Sequence, residues 1–366
     1  MRNTDEQFMR KALSLAKKGL SWTRPNPLVG AVIAKEGKII GQGYHTKFGF
    51  PHAEIEAFRN IHGLGHSTEG ATLYVTLEPC CHVGKTPPCV QAIIQAGIKK
   101  VVCSHLDPNP LVAGKGRDTL QRHGIEVEVS VLEQESKQLN EGFVTFHTLK
   151  RPFVAVKFAA SLDGKIATSS GDSQWITSKK ARTFARTLRA QYDAILVGNN
   201  TVLKDNPHLG CRNSKVNDPL RIILDSTLSL PIESQVFRDT NVLVVATAKA
   251  GKEKIQKFKD RDIQVVCFAS KTISIQEVLT ELSKRNIQSI FVEGGSQVIG
   301  SFFDVGLVDK VYAFHAPLII GGQGALDAVG GEGASIMKRA FALHRISHKH
   351  FNNDYLTVGY TDRSIF

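Results

Sequence analysis

The chain has no apolar run approaching the roughly 18 residues that cross a bilayer, and its start, MRNTDEQFMRK, carries acids where a secretion signal needs an apolar stretch. No membrane contact is expected, and the chain reads as cytoplasmic. Aromatic residues are scarce at 7%, and no run of adjacent Lys or Arg exceeds two. The net charge of +12 is therefore not gathered into a basic stripe with stacking rings, which argues against nucleic acid as a partner. The excess is spread, four over residues 1–150 and eight over the rest, and suits small anionic ligands. Low-complexity segments and fixed-period repeats are missing too. Cysteines number six, at 80, 81, 89, 103, 211 and 267, and three of them crowd into ten residues. That is no disulfide framework. The cluster reads as a metal or catalytic site, and Cys103 and Cys267, in apolar runs, as buried packing residues.

With 366 residues, 42% of them hydrophobic and 22% charged, the chain can bury the cores of two domains. Thr4 and Gln7 have capping-box spacing for a helix over 4–19. LVGAVIA (28–34) and KIIGQGYH (38–45) read as a hairpin, 53–61 as a helix and 71–77 as a strand. Beyond them, 89–97 and 115–123 read as helices, and 101–104 and 125–129 as strands. The charged EQESKQLNEG and the Lys150-Arg151-Pro152 junction mark a boundary, giving domains 1–149 and 150–366. The second half alternates again. Strands are expected from 153 and at 194–198, 220–224, 241–246, 263–268, 289–294 and 310–315, and helices at 178–191, 275–285 and 296–304. Both halves are α/β.

His52 and Glu54 stand at the start of one helix, and Cys80 and Cys89 follow a strand and lead into another. One imidazole and two thiolates suit tetrahedral zinc with the fourth position left to water, one ion per chain. Glu54, two residues beyond His52, is placed to relay a proton without being a ligand. An H-x-E with P-C-x-x-C is the signature of zinc nucleobase deaminases, but here eight residues, Cys81 to Pro88, separate the cysteines. A closed structural site with Cys81 or His82 as fourth ligand is the alternative, and it leaves Glu54 without a role. Packing cysteines without metal are a further one.

The segments RPNPLVGAVI, HAEIEA, TLEPCCHVGKTPPC and DPNPLVAGKG resemble the deaminase domain of the bifunctional riboflavin-biosynthesis deaminase-reductases, a cytidine-deaminase-like α/β/α fold. The resemblance covers about residues 5–150. It implies that Asn26, His45, His82, Lys85, Thr86, Asp107 and Asn109 surround a phosphorylated pyrimidine. Asn26, Asp107 and Asn109, each followed by proline, also read as turn formers.

Downstream there is no G-x-G-x-x-G and no P-loop. The local nucleotide-site feature is FVEGGSQVIGSFF, a strand turning through Gly294-Gly295 into a helix whose free N–H groups suit a pyrophosphate. KFAASLDGKIA, SGDSQWIT, VGNNTVLKDNPHL, LDS and VEGGS resemble the reductase domain of the same family, with a dihydrofolate-reductase-like fold and NADPH as cofactor. The resemblance implies that Ala159, Trp175, Thr201, Asp205, Ser226 and the segment Gly295, Ser296, Gln297, Val298, Ile299, Gly300 and Ser301 line the NADPH site. Ser173, Arg189, Leu209, Arg212 and Glu293 are implied to face the phosphoribosyl substrate. Core packing is the alternative for Trp175 and Leu209, and a solvated helix face for Arg189. Asp205 and Glu293 are candidates for proton handling, and Lys157 for polarising the sugar. The expected activity is zinc-dependent hydrolytic deamination of 2,5-diamino-6-(5-phosphoribosylamino)pyrimidin-4(3H)-one to 5-amino-6-(5-phosphoribosylamino)uracil, followed by NADPH-dependent reduction of the ribosyl group to ribityl. The other expected partner is a further copy of the chain, in a homo-oligomer.

Overall fold

The computed structural model describes residues 2–62, 67–84, 87–110 and 112–366, so Lys85 and Thr86 lie outside the described residues. The chain divides into two compact units, Met1–Lys150 and Arg151–Phe366.

In the first unit the helices are α1 (Arg2–Ala16), α2 (Ala53–His62), α3 (Cys89–Gln95), α4 (Lys115–Arg122), α5 (Glu133–Leu139) and α6 (Glu141–Leu149). The strands are β1 (Gly30–Lys35), β2 (Lys38–Tyr44), β3 (Thr72–Val75), β4 (Lys100–Cys103) and β5 (Glu126–Val129). They form one sheet in the order β2-β1-β3-β4-β5, antiparallel through β1 and parallel from β3 to β5. β1 is buried on both faces. Ala31 and Ile33 join a core with Ile61, Leu73 and Ile93, while Val32 and Ala34 pack with Met9, Ala12 and Leu15 of α1. Each fully buried large side chain contributes about 1.5–3 kcal/mol. Gly43 lets α2 lie directly on β2, because a Cβ there would sit 2.3 Å from the Ala57 nitrogen. The carboxyl end of β3 is thus held between helices, and the ligand-bearing segment 76–80 leaves from it.

Three expectations differ from this unit or its neighbour. α1 begins at Arg2, so Thr4 lies inside the helix and is not its cap. The polar stretch read as a boundary is helical: α5 and α6 are held by polar contacts, Ser136 Oγ donating to the Thr76 carbonyl at 2.6 Å. Cys103 is buried as expected, but Cys267 is exposed, because it sits on the edge strand of the second sheet.

In the second unit the strands are β6 (Phe153–Ser161), β7 (Lys165–Ala167), β8 (Ala194–Gly198), β9 (Leu220–Leu224), β10 (Val242–Thr247), β11 (Gln264–Phe268), β12 (Ser289–Val292), β13 (Lys310–Ala316), β14 (Leu326–Asp327), β15 (Leu343–Phe351) and β16 (Asp354–Thr361). The helices are α7 (Lys179–Leu188), α8 (Asn199–Asp205), α9 (Lys252–Lys259), α10 (Ile275–Lys284) and α11 (Ser296–Asp304). The sheet order is β11-β10-β9-β8-β12-β6-β13-β16-β15, parallel from β11 to β13 and antiparallel beyond. One face packs on α10 and α11 through Val278, Leu282, Ile299 and Phe302, and the other buries Ile195, Ile223 and Val244 with Phe258 of α9. Asp309 is fully buried and ties the start of β6 to β13. It accepts two bonds from Arg151, at 2.7 and 2.8 Å, and one from the Val154 N–H at 2.8 Å.

Candidate functional sites

In the first unit the carboxyl end of β3 and the amino ends of α2 and α3 converge. His52 precedes α2, and its carbonyl accepts the Glu56 N–H at 3.1 Å. Cys80 accepts the Cys89 N–H at 3.3 Å, which folds the long connection between the two cysteines back on itself. The Sγ atoms of Cys80 and Cys89 lie 3.5 and 3.3 Å from His52 Nδ1, and all three ligand atoms fall within 4.8 Å of one another. A tetrahedral zinc with the usual bond lengths sets such nitrogen–sulfur edges at about 3.6 Å, so the donor set fits. Among the described residues this group contains neither Cys81 nor His82. Cys81 packs against the apolar core and His82 is exposed on the cavity rim, as expected where neighbours in extended chain point apart. A hydrogen bond from Cys89 holds the Cys80 thiol down at about 4, with the His52 ring adding to this against the effect of burial. The same hydrogen bond, with burial, pushes the Cys89 thiol up.

Glu54, 3% exposed, sits beside the ligands, and burial pushes its carboxyl up, with Cys80 adding to the effect and His52 opposing it. The adjoining cavity of about 200 Å³ is lined by Asn26, His45, His52, Glu54, Cys80, His82, Asp107 and Asn109, among others, including Phe48, Phe50 and Phe143. Of the seven residues expected around the pyrimidine, the five within the described residues all line this cavity. His45 donates from Nδ1 to the Pro51 carbonyl at 3.0 Å and accepts the Asn26 amide at Nε2 at 3.1 Å, one tautomer satisfying both contacts. Burial lowers its pKa, which keeps the ring neutral.

Two residues that build this cavity escaped the sequence reading. Glu78 is buried and accepts three backbone N–H groups, from Asp107 at 3.0 Å, Gly114 at 2.9 Å and Arg117 at 3.0 Å. Asn140, between α5 and α6, accepts the Leu28 N–H at 2.7 Å and donates to the Leu28 carbonyl at 2.9 Å, pinning the loop that carries Asn26. Only the buried setting distinguishes them from any other Glu and Asn. The acid immediately before Pro79-Cys80 was the one available signal.

In the second unit a cleft of about 540 Å³ opens where β8, β9 and β12 end, the usual ligand position of an open parallel sheet. Ser173, Thr201, Asp205, Ser226, Glu293, Gly295, Ser296, Gln297 and Val298 line it, together with Asn199, Asn200 and Lys204. Gly198 and Gly294 bring the backbone close to α11, since a Cβ on either would meet the Val298 side chain at 2.8–2.9 Å. Gly295 precedes α11 and gives it no side-chain cap hydrogen bond, and the first N–H groups of a helix so begun suit an anion. Ile299, Gly300 and Ser301 of the expected segment are not among the residues lining the cleft. Helical periodicity turns Ile299 into the apolar core and sets Gly300 against the backbone of Gly330, while Ser301 donates to the Gln297 carbonyl. Leu209 is likewise a core residue, 3% exposed among Val202, Leu228 and Phe237.

Trp175 is not a core residue. It is 65% exposed, with the Arg182 guanidinium 4.1 Å from its ring centre. Ala159 lies on β6 opposite Phe314, and Arg212 is exposed, and neither is among the residues lining the cleft. Arg189 is no solvated face either. It donates from Nε and Nη2 to Glu293 at 2.8 and 3.0 Å, and from Nη1 to the Gly210 carbonyl at 3.0 Å. Lys157 approaches the same carboxylate at 4.0 Å. Burial would push Glu293 up, but Arg189 and Lys157 more than offset it and hold the carboxyl below its ordinary value. Burial lowers Lys157, which Glu293 opposes and Arg189 reinforces.

Residues 2–105 match the family model described as the cytidine and deoxycytidylate deaminase zinc-binding region, and residues 152–357 match that of the RibD C-terminal domain. The chain is 47% identical over 322 residues to the riboflavin biosynthesis protein RibD of Aquifex aeolicus, covering 88% of this chain and 89% of that one. The solved RibD of Acinetobacter baumannii, form 1, superposes with a TM-score of 0.89 at 34% identity, with 99% of each chain covered. A solved diaminohydroxyphosphoribosylaminopyrimidine deaminase/5-amino-6-(5-phosphoribosylamino)uracil reductase of Thermotoga maritima gives 0.86 at 40% identity, covering 98% of this chain and 99% of that one. The first unit is therefore cytidine-deaminase-like with a metal-binding His/Cys set, and the second is a dihydrofolate-reductase-like domain whose kind uses NAD(P)H. Matched along nearly its whole length on both units, the chain belongs to the RibD family of bifunctional deaminase-reductases and acts on the pyrimidine intermediate of riboflavin synthesis.

Proposed function

We propose that the metal is zinc, held by His52, Cys80 and Cys89, and that the first unit hydrolyses the 2-amino group of 2,5-diamino-6-(5-phosphoribosylamino)pyrimidin-4(3H)-one. The convergence of two thiols and an imidazole beside a buried, unliganded acid carries this reading. Bound there, zinc supplies a water acidified enough to attack at neutral pH. Glu54 would take a proton from the water that attacks C2 and return one to the 2-amino group, which would leave as ammonia. Asn26, held by His45, orients the pyrimidine, and Asp107, Asn109 and His82 line the same cavity. Lys85 and Thr86 belong to the same set by family resemblance.

The second unit then reduces the ribosyl group of 5-amino-6-(5-phosphoribosylamino)uracil to ribityl. NADPH supplies the hydride. The first N–H groups of α11, at Ser296, Gln297 and Val298, receive its pyrophosphate, and Thr201, Asp205 and Ser226 hold the rest of the cofactor along the cleft. Ala159 and Trp175 complete that site, with Trp175 exposed to cover what binds. Lys157 polarises the sugar and Glu293, fixed by Arg189, handles the proton, while Ser173 and Arg212 meet the phosphoribosyl group.

No helix among the described residues is long and apolar enough to cross a membrane, and no disulfide joins any of the six cysteines, which supports a reducing, cytoplasmic setting. The nine-residue edge strand β15, with Ile346 exposed, supports a homo-oligomer. The test is metal analysis with a coupled assay on the diamino substrate. About one zinc per chain is expected, with ammonia released before NADPH is oxidised; zinc-free protein that still releases ammonia contradicts the reading.

A further inference from the structure

We infer that Glu78 is a positioning residue for the pyrimidine substrate: its buried carboxylate fixes Asp107 and Asn109 in the wall of the metal cavity, so that the segment delivering Cys80 also sets the substrate-facing loop. The inference rests on the proposed role of that wall in substrate binding.

Backbone accounting makes the case. In the segment 107–110 Pro108 and Pro110 have no N–H, so only Asp107 and Asn109 can donate. The Asp107 N–H goes to Glu78 Oε2 at 3.0 Å, and the Asn109 N–H goes to Asp107 Oδ1 at 2.8 Å. Glu78 thus fixes the backbone of Asp107 directly, and Asp107 in turn fixes the backbone of Asn109. The Glu78 N–H is itself bonded to the His105 carbonyl at 3.1 Å, so a single residue grips the loop from both sides of Leu106. Oε2 also takes the Gly114 N–H and Oε1 the Arg117 N–H, docking the amino end of α4, where a negative charge is favoured. A residue that only capped α4 would need the last two bonds. The Asp107 bond lies eight residues before the helix and serves the cavity wall, where Glu78, Asp107, Asn109 and Val112 all appear. Gly116 leaves no slack in the arrangement, since a Cβ there would sit 2.1 Å from the Pro79 carbonyl oxygen.

In Glu78→Gln a side chain of similar size keeps one acceptor oxygen and turns an amide N–H₂ toward a backbone N–H. The deaminase KM for the diamino substrate is expected to rise about tenfold or more, since one lost hydrogen bond to a charged acceptor has that scale. The kcat should stay within about threefold and the zinc content should not change. NADPH oxidation on the deaminated substrate should not change either. Gly116→Ala leaves the carboxylate intact but pushes the loop away from Pro79, and should give the same rise in KM; if Glu78→Gln loses zinc, this variant alone decides. Wild-type KM in a zinc-loaded variant, or a fall in kcat at constant KM, overturns the inference. Amide exchange over residues 107–117 separates two failures: unchanged exchange refutes the anchoring, whereas faster exchange at wild-type KM refutes the substrate role of the wall.

Discussion

Glu54→Gln tests the chemistry of the first site with little disturbance of its packing. The side chain is 3% exposed and glutamine has nearly the same volume, so the substitution opens no cavity, and the three metal ligands are untouched. What changes is the proton. Burial first, and then the charge of Cys80, push the Glu54 carboxyl above its ordinary value; a carboxyl can give and take a proton, and an amide does neither. Positioned acid–base groups contribute about 10² to 10⁴ in rate, so kcat for ammonia release should fall at least about a hundredfold, or about 2.7 kcal/mol in barrier. The assay is ammonia release at saturating substrate with zinc measured on the same sample, and NADPH oxidation on the deaminated substrate as internal control. A zinc-loaded variant keeping more than about a tenth of the rate would refute the proton-relay role.

Burial lifts the Asp107 carboxyl to about 7 against the Asn109 N–H, with Glu78 adding to the rise. A raised folded pKa means stability present below the ordinary carboxylate value and lost as pH climbs through about 7, so the zinc-loaded deaminase unit should lose on the order of 1 kcal/mol between about pH 6 and 8. Asp107→Asn should flatten that slope in urea unfolding, and an unchanged slope contradicts the assignment. In the second unit Glu293→Gln leaves Arg189 and Lys157 largely buried without their counter-charge. A loss of about 3 kcal/mol or more is expected in urea unfolding, and wild-type stability would show that the three charges are not linked.

The His/Cys cluster was legible because metal chemistry restricts ligand type and spacing so narrowly that His52, Cys80 and Cys89 stand out in sequence. Most buried strands were legible for a similar reason: β8 is an unbroken apolar run and β9 is interrupted only by the buried Arg221, as suits strands covered on both faces. The parts that were not legible are polar. α5 has no apolar stripe, because its buried Ser136 and the following Asn140 are held by hydrogen bonds to segments far away in sequence. β15, LHRISHKHF, has no alternation because it is an exposed edge strand interrupted by a bulge at Arg345, whose φ is positive. Cys267 misled because an apolar run says nothing about which strand ends a sheet. The Arg189–Glu293 pair joins residues 104 apart and became visible only once the turn after α7 met the residue following β12.

The central claim is that one chain carries two complete sites, each built from residues of its own unit. The most direct measurement is to remove the metal with a chelator and follow both reactions on the full chain. Ammonia release should be abolished and restored by zinc, while NADPH oxidation on supplied 5-amino-6-(5-phosphoribosylamino)uracil continues at an undiminished rate. Loss of NADPH oxidation on metal removal, with the second unit still folded, would contradict the account.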